Sequence, residues 1–225
     1  MNGRKLGPAA LLSEEEVRAL LGACSRRAPT GVRDRALITL LWRTGLRISE
    51  ALALEAARDI RLSGSRPTLR VRDSKTASGR RLVAVRAEAV DALERWLEVR
   101  ERIGLGRRGR LFCTLDGGPL DSSQVRAMLR RRARRAGLNI RVHPHAFRAT
   151  ALMEAYRAGI GLPVIRDIAG HANLGSTDAY LKRLEPTEAI DAVLALDDPK
   201  AALVERLDDE TAARLLAVLE RETGG

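Results

Sequence analysis

Between Asp59 and Val85 the hydrophobic pattern changes its period. The runs DIRL, TLRVR and RLVAV are short, β-type and separated by turn residues, which predicts a three-stranded antiparallel sheet. The second and third runs flank DSKTASG, a polar hairpin loop. Elsewhere the apolar residues repeat at helical spacing. A chain patterned in this way folds as a mainly α protein with one small inserted sheet, an α+β class.

The expected helices follow from their ends. Ser13-Glu14-Glu15-Glu16 is a capping box ahead of Val17, Leu20 and Leu21, and opens a helix running to about Arg27. A second spans about Val32 to Thr44 and stops at Gly45, and a short one covers Ile48 to Leu54. From Ala87 on, only helices are expected: 87–103, 121–136, 144–158, 162–169, 174–182, 187–196 and 200–221. The 225 residues are enough to bury a real core, and 45% apolar with 31% charged residues fits a soluble globular chain. No apolar run is long enough for a membrane span, and the N-terminus lacks a secretory apolar segment, so a cytoplasmic, nucleoid-associated protein is expected. Cys24 and Cys113 make no metal-ligand spacing and are expected to be buried thiols in a reducing compartment.

Charge narrows the partner. The net charge is +11, unevenly spread. Residues 185–225 hold 11 of the 29 acidic and 4 of the 40 basic residues, which leaves +18 on residues 1–184. So basic a body points to a polyanion, with nucleic acid first. Aromatic residues at 3% disfavour single-strand binders that stack bases, so duplex phosphates fit better. The basic run Arg130 to Arg135 is a DNA-facing candidate or a solvated helix face.

Six residues could carry chemistry. Arg47 opens a short helix after Gly45, where an arginine fork meets free N–H groups; a solvated helix end is the plainer alternative. Lys75, on the polar hairpin, is one of only four lysines in an Arg-dominated chain. Lysine can release a proton near other cations and so act as a general acid; otherwise it is a solvated loop residue. His145 and Arg148 share one face of a helix that begins at Pro144, so both can meet one anion near its N-terminus. His143, one step before the proline, is expected to point elsewhere. His171 follows a glycine that closes a helix, and Tyr180 lies nine residues on, a nucleophile or a half-buried packing residue. Two Arg forks, two histidines, a lysine and a tyrosine suit phosphoryl transfer without a metal or a nucleotide cofactor.

TGLRISEALAL, SKTASGRRLVAV, HPHAFRAT and AGHANLGSTDAY, in this order, resemble the catalytic domain of the tyrosine recombinases, the phage-type integrases. The resemblance runs from about Leu12 to Leu184. It implies that Arg47 and Arg148 grip the scissile phosphate and that Tyr180 attacks it, leaving a 3′-phosphotyrosine and a free 5′-hydroxyl. Lys75 would protonate the leaving oxygen, His145 would act as base, and His171 would donate a hydrogen bond to the phosphate. Double-stranded DNA is the implied partner and a homotetramer on DNA the implied assembly.

Residues 1–184 are thus expected to form the catalytic domain and 185–225 an acidic helical tail. The helical N-terminal core-binding domain carried by full-length members is expected to be absent. Ala149 stands where the family commonly has a histidine. Tail residues Ile190, Val193 and Leu194, then Ala212, Leu215, Leu216 and Leu219, are spaced for apolar helix faces. Those faces could dock on a neighbouring subunit, pack on their own body, or fold over the basic face as an autoinhibitor. A type IB topoisomerase-like nicking-closing enzyme and a catalytically silent DNA-binding protein are the alternatives to a recombinase.

Overall fold

The computed structural model describes residues 11–72 and 81–170. Lys75, His171, Tyr180, the three helices expected beyond residue 173 and the acidic tail lie outside the described residues. Within them the chain is mainly helical with one three-stranded sheet, in the order α1 (Glu14–Gly22), α2 (Pro29–Thr44), α3 (Ile48–Ala53), β1 (Ile60–Arg61), β2 (Thr68–Val71), β3 (Arg81–Ala84), α4 (Ala87–Arg102), α5 (Ser122–Arg135), α6 (Pro144–Arg157) and α7 (Leu162–Ala169). No described helix is long and apolar enough to cross a membrane.

The capping box of α1 forms as expected. The Ser13 hydroxyl accepts from the Glu16 N–H at 3.2 Å, and the Ser13 N–H donates to the Glu16 carboxylate at 2.8 Å. The helix stops at Gly22, five residues short of the expected Arg27. There the Ser25 hydroxyl accepts the N–H groups of Arg27 and Ala28, and this side-chain turn replaces the helical ladder. α2 starts three residues earlier than expected, at Pro29. Proline's fixed φ suits the first helical position, where its missing N–H costs nothing.

α2 is the centre of the fold. Val32, Ala36, Leu37, Ile38, Leu40, Leu41 and Trp42 are all buried, and the helix packs against α4 and α6. Each fully buried Leu or Ile contributes about 1.5–3 kcal/mol relative to exposure. The Trp42 indole N–H donates to Glu154 of α6 at 2.8 Å, and the Arg43 guanidinium lies 3.3 Å from the Trp42 ring centroid, so the α2–α6 contact is also polar and directional. Cys24 and Cys113 are both buried free thiols.

The sheet is antiparallel in the order β1-β2-β3, with Ile60 opposite Leu69 and Leu69 opposite Val83. Leu69, Val71 and Val83 face the core, while Arg70 and Leu82 face solvent, the alternation expected of a half-buried sheet. The last described pair is Val71 with Arg81. Beyond Ala87 the described elements are helices only, as expected. The segment between α4 and α5 takes part in two isolated antiparallel bridges, Arg110 with Glu55 of the α3–β1 connection and Cys113 with Pro119. Buried Arg100 organises this stretch, donating to the carbonyls of Gly106, Arg108, Arg110 and Leu111 at 2.9–3.0 Å.

Candidate active site

α2 and α3 meet at a three-residue turn, Gly45 to Arg47. Gly45 caps α2 in the left-handed conformation at φ 65°, and Leu46 is buried behind it. The turn delivers Arg47 as the residue that opens α3. Its N–H donates to Oε2 of Glu50 at 2.8 Å, and its Nη1 donates to Oε1 of the same carboxylate at 2.9 Å. The remaining arm, Nη2, reaches the Gly170 carbonyl at 3.0 Å. Arg47 is thus the N-cap of α3, with its own N–H and one arm of its fork held by Glu50.

α6 begins at Pro144 as the pattern implied, with His143 at its N-cap. Arg148, one turn in, is only 3% exposed. Its Nη1 donates to the Gly45 carbonyl and its Nη2 to the Ala169 carbonyl, both at 2.7 Å. Ala149 is fully buried among the core residues of α6.

A third arginine joins them. Arg81, the first residue of β3, sets Nη1 and Nη2 on the two oxygens of Glu50 at 3.0 Å each, and its Nε donates to the Ile168 carbonyl at 2.8 Å. Three consecutive carbonyls at the end of α7, of Ile168, Ala169 and Gly170, therefore accept from Arg81, Arg148 and Arg47 respectively. Cations belong at this end of a helix, where the backbone dipole is negative and the last carbonyls lack intrahelical partners. Gly170 caps α7 in the left-handed conformation, which strains other residues, and a Cβ there would lie 2.5 Å from Arg81 Nη1, so any side chain would displace that guanidinium. The residue that follows is His171.

Glu50 is the carboxylate at the centre of this cluster. Burial pushes its carboxyl up, and the Arg81 fork with the Arg47 contacts more than offsets that, so its pKa lies below the ordinary carboxylate range. One ionised carboxylate between two guanidiniums leaves the Arg47–Glu50–Arg81 set net positive, as a phosphate site requires.

The expectation that His143 points elsewhere is not met. Its ring stacks against that of His145 with centroids 6.3 Å apart and planes 13° from parallel. A proline at the first helical position holds the two flanking histidines on neighbouring directions. Burial lowers the His143 pKa, with the like charges of His145 and Arg141 adding to it. His145 itself is exposed at the start of α6.

The structure thus brings Arg47 and Arg148 to one helix terminus, from positions 101 residues apart, and sets His145 one turn before Arg148. Reading the sequence alone missed Glu50 and Arg81. A carboxylate three residues after Arg47 was a usable signal for Glu50, whereas nothing local distinguishes Arg81 in a chain with 36 arginines.

The basic helix α5 divides in two. Arg126, Arg130, Arg131, Arg134 and Arg135, at helical spacings of four, five, eight and nine from the first, are all exposed on one side. Arg132, in the middle of the basic run, turns inward and pairs with buried Asp34 at 2.6 Å. The run is therefore not a uniform surface.

Residues 10–185 match the phage integrase family. The chain is 34% identical over 171 residues to a tyrosine recombinase XerD of Ralstonia nicotianae, covering 75% of this chain and 54% of that protein. It is also 34% identical over 201 residues to a tyrosine recombinase XerD of Mycobacterium tuberculosis, covering 86% of this chain and 62% of the relative. Its fold superposes on the crystal structure of XerA recombinase with a TM-score of 0.69 at 28% identity, covering 86% of this chain and 67% of that one. It superposes on the XerH site-specific recombinase bound to palindromic difH substrate, in a post-cleavage complex, with a TM-score of 0.68 at 23% identity, covering 85% and 54%. The chain spans about half the length of several of these relatives. With the match covering most of its length, the chain belongs to the phage integrase family, the tyrosine recombinases.

Proposed function

We propose that this chain is a metal- and ATP-independent DNA strand transferase, a site-specific recombinase whose catalytic unit lies within residues 1–184. Arg47 and Arg148 hold the non-bridging oxygens of one phosphodiester of duplex DNA. The Tyr180 hydroxyl attacks phosphorus while His145 takes its proton, and the 5′ oxygen leaves with a proton supplied by Lys75. His171 donates to the phosphate as charge builds. A 3′-phosphotyrosine and a 5′-hydroxyl result, and attack by a 5′-hydroxyl reverses the step, so the bond is conserved and strands can be exchanged. The exposed arginines of α5 contact the backbone of the duplex, and a homotetramer assembles on DNA.

The convergence of Arg47 and Arg148 on successive carbonyls beside residue 171 carries this reading. Fixed forks aimed at one spot are what phosphoryl transfer demands of a protein, since positioning and charge supply most of the rate.

A nicked suicide duplex tests it, because loss of a short strand traps the covalent intermediate. Wild-type protein yields a DNA adduct that survives denaturing electrophoresis, and Tyr180→Phe yields none. An adduct that persists in the Phe variant names the wrong nucleophile. Adducts with plasmid relaxation but no exchange between two sites identify a nicking-closing enzyme, and binding with no adduct on any substrate identifies a silent DNA-binding protein.

A further inference from the structure

We propose that Arg81 is a positioning residue for the phosphate grip: by occupying both oxygens of Glu50 it stops that carboxylate from neutralising Arg47. The proposal rests on the assignment of Arg47 to the scissile phosphate.

Arg47 keeps company with a carboxylate three residues away, and an isolated Arg–Glu pair is a poor anion site because its charges cancel. Arg81 changes the balance. Its two terminal nitrogens lie 3.0 Å from the two Glu50 oxygens in a fork-to-fork pair, with the Arg81 side chain 10% exposed and that of Glu50 5% exposed. The Arg47 fork reaches the carboxylate through one arm, Nη1 to Oε1, beside the bond from its backbone N–H to Oε2, and its side chain stays 37% exposed. The carboxylate is thus committed chiefly to the buried arginine, and the more exposed one retains its attraction for an added anion.

Arg81 also fixes where the grip sits. Its Nε holds the Ile168 carbonyl, and its guanidinium fills the space that any side chain at position 170 would need. Arg47 donates to the carbonyl of that same Gly170. Arg81 stands six residues after Lys75 on the strand that leaves the hairpin, so one side chain links that strand, α3 and the end of α7. Among the described residues, the charged groups facing Glu50 are Arg47 at the start of its own helix and Arg81 from β3, with Arg148 of α6 on the neighbouring Ala169 carbonyl. Burial alone would raise the Glu50 carboxyl, and the Arg81 fork is the largest influence holding it down.

The test is single-turnover cleavage of a nicked suicide duplex with saturating protein, comparing wild type, Arg81→Met, Arg81→Lys, Glu50→Gln and the Arg81→Met/Glu50→Gln double variant. Cleavage is expected to fall tenfold or more in Arg81→Met, with DNA affinity within about threefold of wild type. Arg81→Lys, which keeps a charge on Glu50, retains most of the rate. Adding Glu50→Gln to Arg81→Met restores at least part of the loss, because the unopposed carboxylate is gone. Wild-type cleavage in Arg81→Met overturns the proposal. So does a deficit that is not relieved by Glu50→Gln, which would make Arg81 a strut only. If Arg81→Met does not fold, Arg81→Lys decides: a rate as low as that of Arg47→Ala, in a variant that melts like wild type, overturns the charge argument. Absence of an adduct in the wild type would fail the functional reading instead.

Discussion

Arg148 donates from Nη1 to the carbonyl of Gly45 at 2.7 Å, and so ties the first turn of α6 to the bend that launches α3. Its other arm holds Ala169 at 2.7 Å. Two buried carbonyls from two different elements are thus satisfied by one planar fork. Lysine has one nitrogen where arginine has two, and so cannot reproduce both bonds in this geometry. Arg148→Lys is expected to lower stability by about 1–3 kcal/mol, the cost of one buried carbonyl left unpaired. Urea denaturation measures that loss. Cleavage of the suicide duplex should drop by about 100-fold or more, as for removal of one aimed donor at a charged transition state, while DNA affinity changes little. Wild-type stability in Arg148→Lys would show that one carbonyl is satisfied from elsewhere.

Much of this frame was legible because its signals are local. The capping box at Ser13, Pro144 at the head of α6 and the alternation of Leu69, Val71 and Val83 each depend on residues within a few positions. Arg47, His145 and Arg148 could be singled out because they stand at element starts, where an unusual residue is conspicuous. The Glu50–Arg81 pair was hidden for the opposite reason. Its partners are 31 residues apart on a helix and a strand, and what makes Arg81 special is the Ile168 carbonyl, 87 residues away. Arg132 illustrates the same limit. It sits in a run of like residues, and only the position of Asp34 on α2 turns it inward. Stacking of His143 on His145 depends on the extended backbone of His143 at the N-cap, which sequence spacing does not report.

The split of α5 into an exposed and an inward set predicts two different phenotypes for similar substitutions. Arg130→Gln with Arg134→Gln removes two exposed charges and should reduce the slope of log Kd against log salt by up to about 2, since each phosphate contact contributes about 0.9. Stability should be unchanged. Arg132→Gln should leave the slope alone and destabilise the fold, because it strands buried Asp34 with Arg33 as its remaining arginine. Fluorescence anisotropy titrations between 50 and 300 mM salt, beside urea curves, separate the two. A slope change in Arg132→Gln would place that side chain on DNA.

Cys24 is expected to be chemically silent in the folded protein. It is buried at the end of α1 with its thiol donating to the Leu20 carbonyl at 3.4 Å, and burial pushes its pKa up to about 11. Thiolate, the reactive form, is therefore scarce at any working pH. Cys113 is buried as well. Titration with a disulfide reagent at pH 8 should give close to zero thiols in native protein and two after denaturation. A fast-reacting thiol in the native protein would mean that one of these sites opens readily.

Acid should weaken the fold partly through Glu50. Its folded pKa lies below the ordinary value of 4.5, held there against burial by Arg81 and Arg47. A carboxyl with a depressed folded pKa binds fewer protons folded than unfolded, so its contribution is fully present above the unfolded pKa and is lost as pH falls through the folded one. Wild-type stability should therefore decline as pH falls below about 4.5, with other depressed carboxylates such as Asp121 adding to the slope. Glu50→Gln cannot ionise. It should be less stable than wild type at pH 7, where the arginines lose their carboxylate, and the gap should close as pH falls. Urea midpoints at pH 7, 5 and 4 measure it. A gap that stays constant with pH would show that folding does not shift the Glu50 pKa, and the charge balance argued for Arg47 would fail with it.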